Sequence, residues 1–326
     1  MAEKTILVTG AAGYIGSVAT ELLLEEGYKV IALDNLSGGH KENLFSNVDF
    51  YETDLGNVKI LKEIFTKHKI DLVLHFAGKA LVEESTKNPV LYFDNNVCQG
   101  QALLDVMILF NVKKIVFSST CAVYGIPNED EIPIKEETPT KPINPYGESK
   151  LLFEKMLEWY KNNHNLKYIS LRYFNVAGAS AKRGENHNPE THLIPLIIKS
   201  SKDTYYKLKI YGNDYPTKDG TSIRDYVHVV DLINAHIKAI DVLIKEKEHL
   251  NVYNVGYGHG YTVLEIVNAA KEVLNKNIDF SFSQRRNGDP PVLIANSTKI
   301  RKDFKWEPKY DDIYEIIIST SKFIKI

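Results

Sequence analysis

Sulfur and one-sided charge are what this sequence has least of. Its 326 residues hold only two cysteines, Cys98 and Cys121, too few to staple a chain of this length, and a single possible pair points to a reducing compartment. Forty basic side chains face 42 acidic ones, for a formal net charge of −2. No broad positive field results, which argues against sequence-independent binding to nucleic acid. Apolar runs of the roughly 18 residues needed to cross a bilayer are missing, as are repeats, Pro-rich linkers and blocks of like charge that would mark a flexible hinge. Met1-Ala2-Glu3-Lys4 leads into an apolar stretch too short for a signal-peptide core and ending in Thr9-Gly10. A cytoplasmic protein bound to neither membrane nor nucleic acid is expected. With 44% hydrophobic residues disorder is excluded, and at roughly 150 residues per domain the length suggests about two.

What is present is rhythm. Thr5–Val8, Lys29–Leu33, Asp71–His75, Lys114–Phe117 and Tyr168–Leu171 are short and rich in Val, Ile and Leu, too apolar for half-exposed strands. Helical patterns fill Ser17–Glu26, Val58–Lys67, Val90–Phe110 and Pro145–Lys161. This alternation predicts an α/β fold, a doubly wound parallel sheet with right-handed crossovers. After Phe174 the rhythm breaks, and Gly178–Pro195 is polar and rich in Asn, His and Gly. Tyr226–Val229 and Val252–Val255 read as strands that return to the first sheet, separated by a helix over Asp231–Ile244. The predicted division is a first domain over 1–174, joined by about 225–256, and a smaller α/β domain over 175–326, mainly 175–224 and 257–326.

Thr9-Gly10-Ala11-Ala12-Gly13-Tyr14-Ile15-Gly16 follows the first strand and opens the first helix. Glycines at this spacing permit a tight turn and close backbone approach, so that a pyrophosphate sits on the helix N-terminus. Asp34 ends the second strand, where a carboxylate accepts hydrogen bonds from a ribose diol and repels a 2′-phosphate. Asn35 and Leu36 follow it in place of an arginine, which favours NAD over NADP. Asp54, after a third strand, is either an adenine-side contact or an ordinary loop acid.

Pro145-Tyr146-Gly147-Glu148-Ser149-Lys150 places Tyr146 and Lys150 four apart on one helix face. A phenol of pKa about 10 is a poor base at neutral pH; a nearby ammonium and a positive nicotinamide ring are the two groups able to favour its phenolate. A lone Tyr-x-x-x-Lys is usually a solvated helix face. Here a second signal, Phe117–Gly125, stands at the C-terminal end of a parallel strand, where ligands bind in such sheets, and its Thr120 offers a hydroxyl to bridge tyrosine and substrate.

These motifs, together with His75-Phe76-Ala77-Gly78, Asp94–Val97, Leu171–Asn175, Tyr211–Thr221, Ile223–His228 and Arg285-Arg286-Asn287-Gly288-Asp289, resemble the UDP-glucose 4-epimerases, extended short-chain dehydrogenase/reductases. The resemblance runs from residue 7 to about residue 310. It implies a Rossmann domain binding NAD and a second domain binding a UDP-sugar. It makes Tyr146 the base, Lys150 its lysine and Thr120 the hydroxyl residue. Implied cofactor contacts are Gly10, Gly13, Tyr14, Ile15, Gly16, Asp34, Asn35, Asp54, Leu55, Phe76, Ala77, Gly78, Asn96, Ser118, Tyr146, Lys150 and Tyr173. Implied substrate contacts are Thr120, Tyr146, Asn175, His192, Leu193, Tyr211, Arg224, Arg286, Asp289 and Leu293. Guanidinium forks match a diphosphate. Apolar residues on more than one face of Val90–Phe110 and Pro145–Lys161 fit the helix-pair homodimer of these enzymes.

Three positions depart from the pattern. Ala80 stands where many of these epimerases have a lysine, with Lys79 one residue early. His192 replaces an asparagine and can still donate a hydrogen bond. Leu293 replaces a bulky tyrosine of hexose-specific bacterial members, which implies room for an N-acetyl group. A nucleotide-sugar 4,6-dehydratase would need an acid pair after Thr120, where Cys121-Ala122 stands. A one-way NADP reductase is disfavoured by Asp34, and a non-catalytic NAD sensor by the presence of Tyr146 and Lys150. Gly256–Gly260 reads as a turn into a helix capped by Thr262 and Glu265. Glu185, His187, Glu190 and His192 fit no compact zinc spacing and read as loop polarity, so no metal is expected. Cys121 lacks a base at fixed spacing and reads as a packed residue.

Overall fold

Seven short apolar strands lie side by side, all parallel: β1 (Thr5–Thr9), β2 (Lys29–Asp34), β3 (Asp49–Glu52), β4 (Leu72–His75), β5 (Lys114–Thr120), β6 (Lys167–Tyr173) and β7 (Val252–Val255), in the order β7-β6-β5-β4-β1-β2-β3. The computed structural model describes residues 4–203, 205–286 and 288–324; Met1-Ala2-Glu3 and Asn287, used above, lie outside them. The expected α/β doubly wound sheet is present. In β1, Ile6 and Val8 face one core while Leu7 faces the other, because successive strand side chains point to opposite faces. Helices Tyr14–Glu25 and Val229–Ile244 cover the first face, and Val58–Lys67, Gln99–Leu109 and Pro145–His164 the second. With both faces buried the strands read as continuous hydrophobic runs. Edge strand β3, with an acid at each end, carries the weakest such signature.

Two differences from the sequence reading bear on the site. The helix expected over Val90–Phe110 is Pro89–Phe93, a π-helical stretch Asp94–Cys98 and Gln99–Leu109. Such widened turns often mark functional sites, and this one carries Asn96. The second difference concerns Tyr226–His228, which pairs in parallel with Asn175–Ala177 in a separate two-stranded sheet. Only Val252–Val255 joins the main sheet, beside β6, and it takes the edge Tyr226–His228 would have needed.

Beyond Phe174, Ile223–Arg224 lies between Tyr261–Thr262 and Val292–Leu293, and Leu208–Tyr211 pairs with Phe280–Ser283. Thr262 and Glu265 form the expected capping box of helix Val263–Leu274. One core runs from Ile6 in β1 to Ile316 in the last helix. The later segments are therefore packed onto the sheet without a hinge.

Candidate active site

The three loop glycines do three different jobs. Gly10 sits at φ +72°, and a Cβ there would meet Ala77 N at 2.7 Å. A Cβ on Gly16 would lie 2.1 Å from the Gly10 carbonyl oxygen, so Gly16 keeps the helix close to the strand. Gly13, in ordinary extended backbone, is the N-cap of helix Tyr14–Glu25, yet no side chain caps that helix and its first turn holds no acid. The N-terminal N–H groups, with the positive end of the helix dipole, are left for an anion. Asp34 accepts from Ala12 N (3.0 Å) and Leu36 N (2.7 Å), fixing the loop while retaining lone pairs for a diol. Burial raises its pKa, opposed by these backbone bonds.

Several of the residues expected to contact the cofactor also have protein partners. Tyr14 spends its hydroxyl on the Gly178 carbonyl, 2.6 Å away, and ties the glycine loop to the polar loop that follows Phe174. Ile15 and Leu55 pack into the cores. Asn35 donates to Asp54, 2.5 Å. Asn96 accepts from Lys79 N (2.8 Å) and donates to Lys79 O (3.0 Å) and Ser149 Oγ (2.9 Å); it clamps the loop after β4 to the helix bearing Tyr146. In that loop Phe76 and Ala77 hang from Thr9. A Cβ on Gly78 would lie 3.2 Å from Lys150 Nζ, so glycine there gives the lysine its space.

Tyr146 lies in the first turn of helix Pro145–His164, which starts on a side-chain cap, Asn144 to Gly147 N, and on Pro145. Its buried phenol lies beside Thr120, the last residue of β5, and burial pushes it up to about 12 against the opposing effect of Thr120. Lys150, one turn on, donates to the Ser118 carbonyl at 2.8 Å with Nζ 4.9 Å from the Phe117 ring centre. Burial pulls its ammonium down to about 8, opposed by Glu154. The sequence spacing thus did bring Tyr146, Lys150 and Thr120 together. Ionising the phenol, however, needs positive charge beyond what its neighbours in the chain supply.

Behind this constellation lie residues that spacing did not single out. His236 Nδ1 bonds the Leu232 carbonyl (2.9 Å), an acceptor only, so that nitrogen carries the proton and Nε2 accepts from Tyr173 OH. Glu154 pairs with Arg172 at 2.6 Å and accepts from Ser119 at 2.5 Å. Tyr173 was named in the sequence, but its pairing with His236, 63 positions away, was not legible there. Cys121 is a buried thiol that burial pushes up to about 12, packed in an apolar cluster as expected.

On the opposite side, Arg224 donates to the Ile223 carbonyl (2.7 Å) and to Asp289 (2.5 Å), and the Arg286 guanidinium lies 4.1 Å over the Tyr211 ring. Strand pairing sets Leu293 beside Arg224, packed with Cys121, Leu151 and Phe174. Asn175 is held to the Asp225 carbonyl through its own N–H. His192 and Leu193 begin helix Leu193–Lys202, and His192 Nδ1 turns back to Glu185 at 2.5 Å. The four residues read as scattered loop polarity, Glu185, His187, Glu190 and His192, instead gather so that one atom of each lies within 4.8 Å of the others. Burial would raise Glu185, but its bonds to the two imidazoles hold it near 2. Linear zinc spacings fail to register a cluster made by a loop folding on itself.

The model of the NAD dependent epimerase/dehydratase family matches residues 6–256. The chain is 48% identical to a UDP-glucose 4-epimerase of Lacticaseibacillus casei over 96% of this chain and 94% of that protein. It superposes on the UDP-glucose 4-epimerase from Bifidobacterium longum, solved in complex with NAD+ and UDP, with TM-score 0.92 and 37% identity over 98% of both chains. It is similar also to the UDP-Glc/GlcNAc 4-epimerase of Campylobacter jejuni, at TM-score 0.85 and 39% identity over 99% of each. The chain belongs to the NAD dependent epimerase/dehydratase family and, within it, to the UDP-glucose 4-epimerases.

Proposed function

We propose that the protein interconverts UDP-glucose and UDP-galactose by epimerisation at sugar C4 through a 4-keto intermediate, with NAD as a tightly held cofactor. The observation that carries this reading is the buried Tyr146 phenol beside the Thr120 side chain at the C-terminal end of β5, with Lys150 one helix turn on and donating to the Ser118 carbonyl. NAD fits the residues present: the uncapped, acid-free helix start at Gly13 takes a diphosphate, and Asp34 takes a ribose diol. Bound there, NAD would supply the hydride acceptor and donor that a change of configuration at sugar C4 requires.

Tyr146 takes the proton of the 4-hydroxyl, directly or through Thr120, and later gives it back. Lys150 and the helix N-terminus favour the phenolate. Arg224 and Arg286 hold the diphosphate while the keto sugar turns about its link to it. Residues 175–224 and 257–326 form the sugar-binding lobe. Isomerisation consumes no redox equivalent, so no second redox substrate is needed. Cys121, a thiol kept protonated, replaces the acid pair that a 4,6-dehydratase would use.

Leu293 supports a second substrate. It is smaller than tyrosine and buried against Cys121, so the reading extends to UDP-N-acetylglucosamine. The protein acts as a homodimer in the cytoplasm: Val90, Leu109 and Trp159 are apolar and exposed on the helical segments expected to pair, and neither cysteine is paired. No helix among the described residues is long and apolar enough to cross a membrane. The test is incubation of purified protein with UDP-glucose or UDP-N-acetylglucosamine, no cofactor added, and quantification of each C4 epimer. Conversion of both is expected. Turnover of the hexose alone would refute the role given to Leu293, and turnover of neither would refute the enzyme.

A further inference from the structure

We propose that Glu185, His187, Glu190 and His192 bind one divalent transition cation of the zinc class, which clasps the loop between the cofactor and sugar sites. Glu185 Oε1 lies 3.1 Å from His187 Nδ1 and 2.5 Å from His192 Nδ1, and Glu190 lies 3.4 Å from His192 Nδ1 and 3.9 Å from His187 Nδ1. Zinc–nitrogen and zinc–oxygen bonds of about 2.0–2.2 Å put neighbouring tetrahedral ligands roughly 3.3–3.5 Å apart, close to the separation of Glu190 Oε1 and His192 Nδ1, while the shorter Glu185 contacts are ion pairs that a cation would replace. Two imidazoles with two carboxylates suit zinc or cobalt rather than magnesium or calcium. Glu190 is already oriented, accepting from the Thr191 and His192 N–H groups at 2.7 and 2.8 Å. With Nδ1 facing the cluster, His192 keeps Nε2 for the sugar nucleotide.

Charge gives an independent reason. Glu185 is only 3% exposed, and a buried carboxylate needs a counter-charge. The cluster lies against the glycine loop, with the His187 and Tyr14 rings 6.2 Å apart. Two carboxylates therefore sit close to the place proposed for the cofactor diphosphate. One imidazolium offsets one of those carboxylates; a divalent cation offsets both. This charge argument rests on the epimerase reading, whereas the ligand geometry stands without it.

The probe is Co²⁺ alone, added to NAD-loaded enzyme after chelator dialysis and followed by visible absorption. One equivalent with the intense bands of four-coordinate cobalt is expected, lost in His187→Gln and in Glu190→Gln while NAD content and circular dichroism stay unchanged. No uptake by the parent enzyme, or full uptake by both variants, overturns the site. Epimerase assays on the same samples report on the reaction separately, so the two readings fail independently.

Discussion

In the proposed mechanism Tyr146 and Lys150 divide one task. The phenol that burial holds near 12 becomes a base only where positive charge is supplied, and the ammonium that burial lowers to about 8 is part of that supply. Tyr146→Phe is expected to lower kcat a hundredfold or more, the scale of a lost general acid–base, with bound NAD unchanged in the denatured extract. The sign of the pH effect follows from Lys150: its charge is present below about pH 8 and lost above it. We expect kcat/KM to fall on that alkaline side, and the limb to vanish in Lys150→Arg, whose guanidinium stays charged, on a lower overall rate. An alkaline limb unchanged in Lys150→Arg would assign it to another group. The Tyr-x-x-x-Lys spacing was legible in sequence because both residues sit on one helix. The contact of Lys150 with the Ser118 carbonyl was not, since it spans 32 positions.

At the scale of elements, alternating apolar runs and the glycine loop were legible because each depends on a local period or a local turn. The π-helical stretch at Asp94–Cys98 was not, because Asn96 is engaged there by Lys79 and Ser149, 17 and 53 positions away. The gathering of Glu185, His187, Glu190 and His192 depended likewise on the fold of a loop without period. The uncapped helix at Gly13 yields a sharp expectation. Gly13 has ordinary φ, and its Cβ would meet only the Gly10 carbonyl, at 3.4 Å. Gly13→Asp therefore adds a favoured N-cap where the cofactor diphosphate is proposed to sit. The variant should melt no lower than the cofactor-free parent yet purify without NAD; NAD retained at the parental level would remove the anion role from this helix.

For the whole molecule, one core joins the sheet to the last helix, which a sequence without linkers already suggested. What no linear pattern located was the partner strand of Tyr226–His228, fixed by which sheet edge remained free. Trp159 is 69% exposed on a helix proposed to pair with its copy. Trp159→Glu should halve the mass measured by light scattering at micromolar concentration with little change in circular dichroism, and an unchanged mass would move the interface elsewhere. The central claim is that hydride leaves and returns to the same carbon within one active site. Its most direct test is turnover of UDP-glucose deuterated at sugar C4, without added cofactor. The account predicts UDP-galactose that retains deuterium at C4, and loss of the label to water would contradict it.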